Sequence, residues 1–362
     1  MPRTSPLAQS ARRAFTLVEL LTVLGILAIV IAIIIPAMNL ARRAAKNSDS
    51  LNTLSNLSKA ISMFHNDKSR YPGYFSPRQM ATAVNRDARG FTTMENMMLD
   101  LMGGIRPAGP RTIDGQGRLT IGAVGPGNNA PNSPNADQVF VEYAAMGAQS
   151  QSGSGVISGT YFVTDGKRMA VQGYSYNGSA WVTDTTKRLP ASPEDHFANP
   201  VLVDSFGQPI LAWAQDETPS GGEFAAENFA PATPAGAKFY WAQNAGFLKG
   251  VASLGKLAEN QNFTPGNGSG GSLLAADAAI ANRLQTMYAL LGNPAAPDDA
   301  FASPNFRPAT GRGPIVLHAA GADGVFVGNR DRGGKAGVVT YVPNQDKFNG
   351  PLFDDQIMAA GH

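Results

Sequence analysis

The chain contains no cysteine. Disulfide staples, thiolate zinc sites and a cysteine nucleophile are therefore excluded. The lack of thiols is harmless outside the cytoplasm, although it does not by itself fix a compartment. Histidine is scarce, and His65, His196, His318 and His362 are too scattered for a His-x-x-x-His zinc helix. Charged residues fill only 15% of the 362 positions, well below the usual proportion of about a quarter. A formal net charge of +2 removes the electrostatic case for a nucleic-acid binder, and it also argues against a charge-driven disordered chain. Long apolar runs are missing everywhere except at one place, the N-terminus.

Phe15 to Ile35 reads FTLVELLTVLGILAIVIAIII, with Glu19 as its single charge. At about 1.5 Å per residue such a helix spans roughly 30 Å, one bilayer core. The run exceeds the apolar core of a secretory signal, and no A-x-A-like cleavage site follows it. The expectation is a single membrane crossing. Orientation is nearly balanced on charge: Arg3, Arg12 and Arg13 precede the span, and Arg42, Arg43 and Lys46 follow it. Glu19 is the anomaly, because a carboxylate inside a bilayer is costly unless it is paired or reaches water. It either sits near the helix start and snorkels to the interface, or meets a positive group supplied by another subunit.

Arg12-Arg13-Ala14-Phe15-Thr16-Leu17-Val18-Glu19-Leu20-Leu21 resembles the signal of type IV prepilins and type II secretion pseudopilins. The resemblance implies a basic leader (residues 1–14), cut between Ala14 and Phe15 by a prepilin peptidase on the cytoplasmic side. It implies N-methylation of Phe15 and a role for Glu19 in filament assembly. It also implies a helix kink at Pro36, which falls where such helices commonly carry a proline. The residue before the cut is usually Gly in that family, and here it is Ala14. Expected partners are identical or related pilin-like subunits bound through the N-terminal helix, the peptidase, a secretion or pilus assembly platform, and the membrane, with no nucleic acid.

Beyond the span, Leu40, Ala44, Leu51, Leu54, Leu57, Ile61 and Phe64 recur at helical spacing. Asn66-Asp67-Lys68-Ser69 and Tyr71-Pro72-Gly73 read as the stop. The expected helix covers 15–66, of which 15–35 cross the membrane, and an extracytoplasmic domain occupies 67–362. Pro36 removes one backbone donor and should bend the helix there. Within the domain, Arg78 to Leu101 reads as one helix and Gly103 to Asp137 as loop. Gly155 to Lys187 reads as an antiparallel meander, with strands at Tyr161–Val163, Met169–Val171 and Ala180–Val182. Asp204-Ser205-Phe206-Gly207-Gln208-Pro209 is a tight turn between two short strands, similar to the D-x-W-G-x-P turn of major pseudopilins with Phe206 in place of Trp. Relative to small pseudopilins, residues 221–291 read as an insertion. Gly266 to Gly271 formally matches G-x-G-x-x-G, but no strand precedes it, and Ser272 reads as the cap of a helix reaching about Leu291.

Ile315-Val316-Leu317-His318 reads as a strand, followed by Gly321-Ala322-Asp323-Gly324 and, later, Asp354-Asp355. Major pseudopilins carry a similar turn and a later acidic element, and that region binds calcium in some of them. The resemblance thus makes Asp323, Asp354 and Asp355 a candidate calcium set, although calcium wants six to eight oxygens. The competing reading is an ordinary Asp-Gly turn and a solvated tail, and no other cofactor is expected. The whole reading is an α+β, pilin-like chain: a long N-terminal transmembrane helix packed on an antiparallel β-sheet, with an enlarged loop-rich head. Its expected role is a structural subunit of a pseudopilus or type IV pilus-like fibre, anchored once in the inner membrane. Two rivals are a minor or adhesive pilin-like protein with a binding head, and a membrane-anchored extracytoplasmic enzyme. No catalytic constellation stands out for the latter.

Overall fold

Between Leu17 and Lys68 the chain has one glycine, Gly25, and one proline, Pro36, and it forms a single 52-residue helix, α1 (Leu17–Lys68). The helix continues through Pro36, whose missing N–H removes one intrahelical bond. In the computed structural model the described residues are 17–82, 85, 91–106, 112–113, 119–126, 139–147, 160–164, 168–170, 174–176, 181–183, 201–217, 228–229, 238–248, 272, 274, 280–292, 311–322, 324–327, 341–342, 347–348 and 355–361. Residues 1–46 form one unit and residues 47–362 another, so α1 contributes to both.

In the second unit α1 ends at Lys68, where Ser69 takes a left-handed φ of 54° and its N–H bonds the His65 carbonyl at 2.8 Å. Tyr71 then stacks on His65, ring centroids 4.2 Å apart, and its hydroxyl donates to the Gly361 carbonyl at 2.9 Å. The Tyr-Pro helix stop read from the sequence thus also holds the C-terminal end of the chain.

The stretch expected as one helix is broken: among the described residues α2 (Pro77–Met80) and α3 (Thr93–Met102) are separate helices. Each starts with its own capping box, Ser76 with Gln79 and Thr92 with Glu95, and a capping box marks a helix start. Asn85 lies between them, its side chain bonding the Met80 and Phe91 carbonyls and accepting from the Phe91 N–H. The 103–137 loop reading also fails in part. Strands β1 (Ile105–Arg106), β2 (Thr112–Ile113), β3 (Leu119–Val124) and β4 (Val139–Glu142) form a four-stranded antiparallel sheet in the order β1-β4-β3-β2. These strands are too short for a period to declare itself and gain stability from non-local partners.

The meander is partly present. β5 (Met169–Ala170) pairs with β8 (Val201–Leu202), whereas β6 (Tyr174–Tyr176) and β7 (Trp181–Thr183) pair antiparallel with each other; Asn177 and Gly178 lie outside the described residues. Tyr161–Val163 is no strand. The Tyr161 and Phe162 N–H groups instead bond the Leu101 carbonyl at the end of α3.

The centre of the head is a three-stranded antiparallel sheet, β9 (Ile210–Ala214), β10 (Ile315–Ala319) and β13 (Gln356–Ala360), with β10 in the middle. A 3₁₀ turn (Trp241–Asn244) leads into α4 (Ala245–Leu248), α5 covers Ile280–Leu291, and β11 (Tyr341–Val342) pairs with β12 (Lys347–Phe348). Both faces of the central sheet are covered, so β9 and β10 are buried nearly end to end. Ile210, Ala212, Ile315, Leu317 and Ala319 face Leu54, Leu57, Ile61 and Phe64 of α1, together with the methionines of α3. Leu211, Trp213 and Val316, the alternate residues, face Phe229, Phe239, Trp241, Phe247, Met287 and Leu291. The described part of 221–291 therefore supplies much of one core. Ser272 does not cap α5 directly, since Leu274, two residues on, lies in a turn and not in the helix. Its hydroxyl bonds the Phe326 carbonyl and accepts from the Leu274 N–H. The molecule is α+β, with a long apolar N-terminal helix and antiparallel sheets.

Candidate functional site

From Leu17 to Leu40, α1 exposes its large apolar side chains: Leu17 is 78% exposed, Ile26 63% and Leu40 70%. A helix apolar on every side suits a lipid or a helix-bundle environment. Glu19 stands in the first turn of α1 as described, where a carboxylate is favourable to the helix dipole. Thr22, one turn on, folds its hydroxyl back onto the Val18 and Glu19 carbonyls at 3.0 and 2.9 Å, so it adds no polar group outward. Ala14 and Phe15 lie outside the described residues.

A polar clasp holds the 47–50 region of α1. Asp49 accepts from the Ser205 hydroxyl at 2.8 Å and pairs with Arg168, while Arg168 also donates to Ser205 at 2.8 Å. The Ser205 hydroxyl and then the Arg168 guanidinium lower the Asp49 pKa below the usual 3.8. The Ser205 N–H bonds Ser50 Oγ at 3.1 Å.

Ser205 belongs to the Asp-x-Phe-Gly-x-Pro turn, which is built as the sequence suggests. Val203 bridges Pro209, Gly207 adopts φ 84°, and Asp204 Oδ1 accepts from the Phe206 and Gln208 N–H groups at 2.9 and 2.8 Å. Asp204 is 2% exposed, and burial pushes its carboxyl up to about 6 against the backbone bonds that favour ionisation. The folded state therefore holds this proton to a higher pH than the unfolded chain, whose carboxyl titrates near 3.8. Between about pH 4 and 6 this group's contribution to stability falls as pH rises, by about 2–3 kcal/mol in all. Asp204→Asn keeps Oδ1 and removes the titration. In chelating buffer its melting temperature should gain on the wild type as pH is raised from 4.5 to 7.5. A constant difference across that range would refute the assignment.

Of the candidate calcium residues, Asp323 and Asp354 lie outside the described residues. Asp355 is not part of a solvated tail. It is 8% exposed, and its Oδ2 meets His318 Nε2 at 2.7 Å and the Val327 N–H at 2.7 Å. Burial drives the His318 pKa down to about 3, so the ring is neutral and donates from Nε2 to the carboxylate. Among the described residues no group of three His, Asp or Glu side chains is placed to hold a metal ion. The His318–Asp355 pair escapes sequence reasoning because the two lie far apart in the chain. The alternation of β10 offers one signal, since it puts His318 on the inner face with Val316. The Gly266–Gly271 stretch is outside the described residues.

The exposed helix that begins at Leu17 is long and apolar enough to cross a membrane, with one carboxylate near its start. Residues 9–35 match the family model for the prokaryotic N-terminal methylation motif. The chain thus carries the prepilin-type cleavage and methylation segment of type IV pilins and pseudopilins, a motif that indicates a pilin-like precursor and a prepilin peptidase substrate. No curated protein and no solved structure matches it.

Proposed function

We propose that this chain is a structural subunit of a pseudopilus or type IV pilus-like fibre. It is held in the inner membrane by a single crossing, and its head lies outside the cytoplasm. Prepilin peptidase removes residues 1–14, Phe15 is methylated, and the subunit polymerises through α1 on an assembly platform. The observation that carries this reading is the methylation motif at 9–35, whose described residues, 17–35, lie on a continuous helix with apolar side chains exposed on all sides. Membrane burial satisfies that surface before assembly, and helix packing in a fibre satisfies it afterwards.

The test is the mature terminus. Mass spectrometry of protein purified from its native membrane should find a chain starting at a methylated Phe15. An intact Met1 leader, or a cut beyond Ile35, would overturn the reading.

A second reading, a minor or adhesive subunit with a binding head, draws support from a cavity of about 250 Å³ beside the α1 exit. Tyr71, Phe75, Asp216, Glu217 and Pro314 are among its lining residues. Counting copies per fibre separates the two, since a minor subunit is present in a few copies and a major one along the whole length.

A further inference from the structure

The cavity of about 250 Å³ lies between the loop that follows α1, the first turn of α3 and the ends of two strands of the central sheet. Tyr71, Phe75 and Pro77 line it from the loop, Pro314 from just before β10, and Asp216 and Glu217 from just beyond β9.

Its walls are held by bonds that need no ligand. The Arg70 guanidinium grips Asp100 with two bonds, at 2.7 and 2.9 Å, and the Gly73 N–H donates to the same carboxylate at 2.6 Å. Asn96 of α3 bonds both the N–H and the carbonyl of Phe75, at 2.8 and 2.7 Å. Tyr71 is fixed by the His65 stack and the Gly361 carbonyl. Beyond β9 the Gln215 N–H bonds the Pro314 carbonyl at 2.8 Å, and the Asp216 N–H bonds the Lys238 carbonyl at 2.7 Å. Preformed walls of this kind are usual for binding sites.

The lining favours a cation. Asp216 is 3% exposed and accepts from the Tyr240 hydroxyl, which Arg78 also contacts; Arg78 itself does not line the cavity. Glu217 is exposed. Burial, and then the Glu217 charge, raise the Tyr71 pKa above its usual 10, so that carboxylate acts on a ring of the cavity wall. Two carboxylates against the Arg78 guanidinium leave negative charge in excess. From Glu217 to Ala237 the sequence has no lysine or arginine and adds Glu223 and Glu227, so the segment that follows carries no counter-charge. The volume is below the roughly 300–1,000 Å³ of sites for drug-sized ligands, and suits a group of side-chain size. Aromatic and proline walls beside carboxylates match an alkyl stem with a cationic head, the build of lysine and arginine. We propose that this cavity binds one lysine or arginine side chain of a partner polypeptide, with the stem against Tyr71, Phe75 and Pro314 and the cation on Glu217 and Asp216. The site rests on the binding-head reading above, whose own test, the copy number per fibre, is separate.

The probes are N-acetyl-lysine methylamide and N-acetyl-arginine methylamide, with the norleucine and citrulline compounds as uncharged counterparts. Binding to the full-length protein in micelles of an uncharged, deuterated detergent is followed by saturation-transfer NMR. At least one cationic probe should bind with a Kd of about 0.1–5 mM, as expected for so small a ligand. Its neutral counterpart should bind roughly tenfold more weakly. Raising sodium chloride from about 0.05 to about 0.5 M should weaken the cationic probe several-fold. Glu217→Gln, at an exposed position, should weaken it about fivefold, and Asp216→Asn should weaken it as well. Glu142→Gln, which lies in the four-stranded sheet and does not line the cavity, should change nothing. The proposal is overturned if neither cationic probe binds, or if the neutral counterparts bind as tightly. It is equally overturned if Glu217→Gln and Asp216→Asn both bind like the wild type, or if Glu142→Gln weakens binding as much as Glu217→Gln does. Should Asp216→Asn fail to fold by circular dichroism, Glu217→Gln alone decides.

Discussion

Glu19→Ala should remove this protein from fibres while leaving it in the membrane with its head folded. The substitution makes the span more apolar, so insertion is unharmed, and Glu19 lies in the first unit, apart from the head core. In a bundle of identical helices staggered by one short step, the Phe15 ammonium of one subunit meets the Glu19 carboxylate of another. Removing one partner of a pair in a low-dielectric core strands the other charge, at roughly 3–5 kcal/mol per contact. Repeated along a polymer, that loss should reduce assembly to background. Glu19→Gln should fail as well, since it keeps the shape and loses the charge. Recovery of sheared fibres, or crosslinking between cysteines placed in neighbouring helices, reads the effect. Normal assembly of both variants would reduce Glu19 to a snorkelling side chain.

Leu57→Ala should unseat the head from its helix, whereas Leu51→Ala should do almost nothing. Leu57 is 0% exposed within the cluster joining α1, α3 and the central sheet, while Leu51 is 45% exposed. Truncating a fully buried leucine costs about 2–5 kcal/mol, the lost transfer energy plus the cavity left behind. A surface change away from such features stays within about 0.5 kcal/mol. In thermal unfolding of the full chain in micelles the first variant should melt several degrees lower, and the second should overlay the wild type. Equal losses would show that α1 does not seat on the sheet as described.

That pair of leucines marks where sequence reasoning stops. Both belong to one apolar stripe at helical spacing, and the stripe correctly implied a helix running beyond the membrane-length segment. It did not say which members face the sheet, because burial depends on which strands arrive, and those come from residues 201–214 and 315–360. Leu40 and Ala44 belong to the same stripe and lie in the first unit, so the buried seat begins only near Ser50.

The N-terminal chemistry was legible because it is local and contiguous. A run of about twenty apolar residues interrupted by one carboxylate needs no tertiary information to be costly in water, and the leader pattern is read directly from consecutive residues. The Asp204 turn was legible for the same reason, since glycine and proline impose their dihedral constraints locally. The 78–101 segment misled because its apolar spacing is helical throughout, while the capping boxes at Ser76 and Thr92 restart the helix. The short strands of the four-stranded sheet are specified mainly by their partners, and composition rich in Gly, Pro and Asn hides them.

What the sequence by itself determined is thus the long apolar N-terminal helix with its methylation motif, the turn at 204–209 and an α+β head. Only the tertiary structure decided that Asp355 is buried against His318 and that residues from 228 to 291 build a core. Each of those depends on chain segments far apart in sequence. Their side chains acquire their roles, and their perturbed protonation, only when the packed sheet removes them from water.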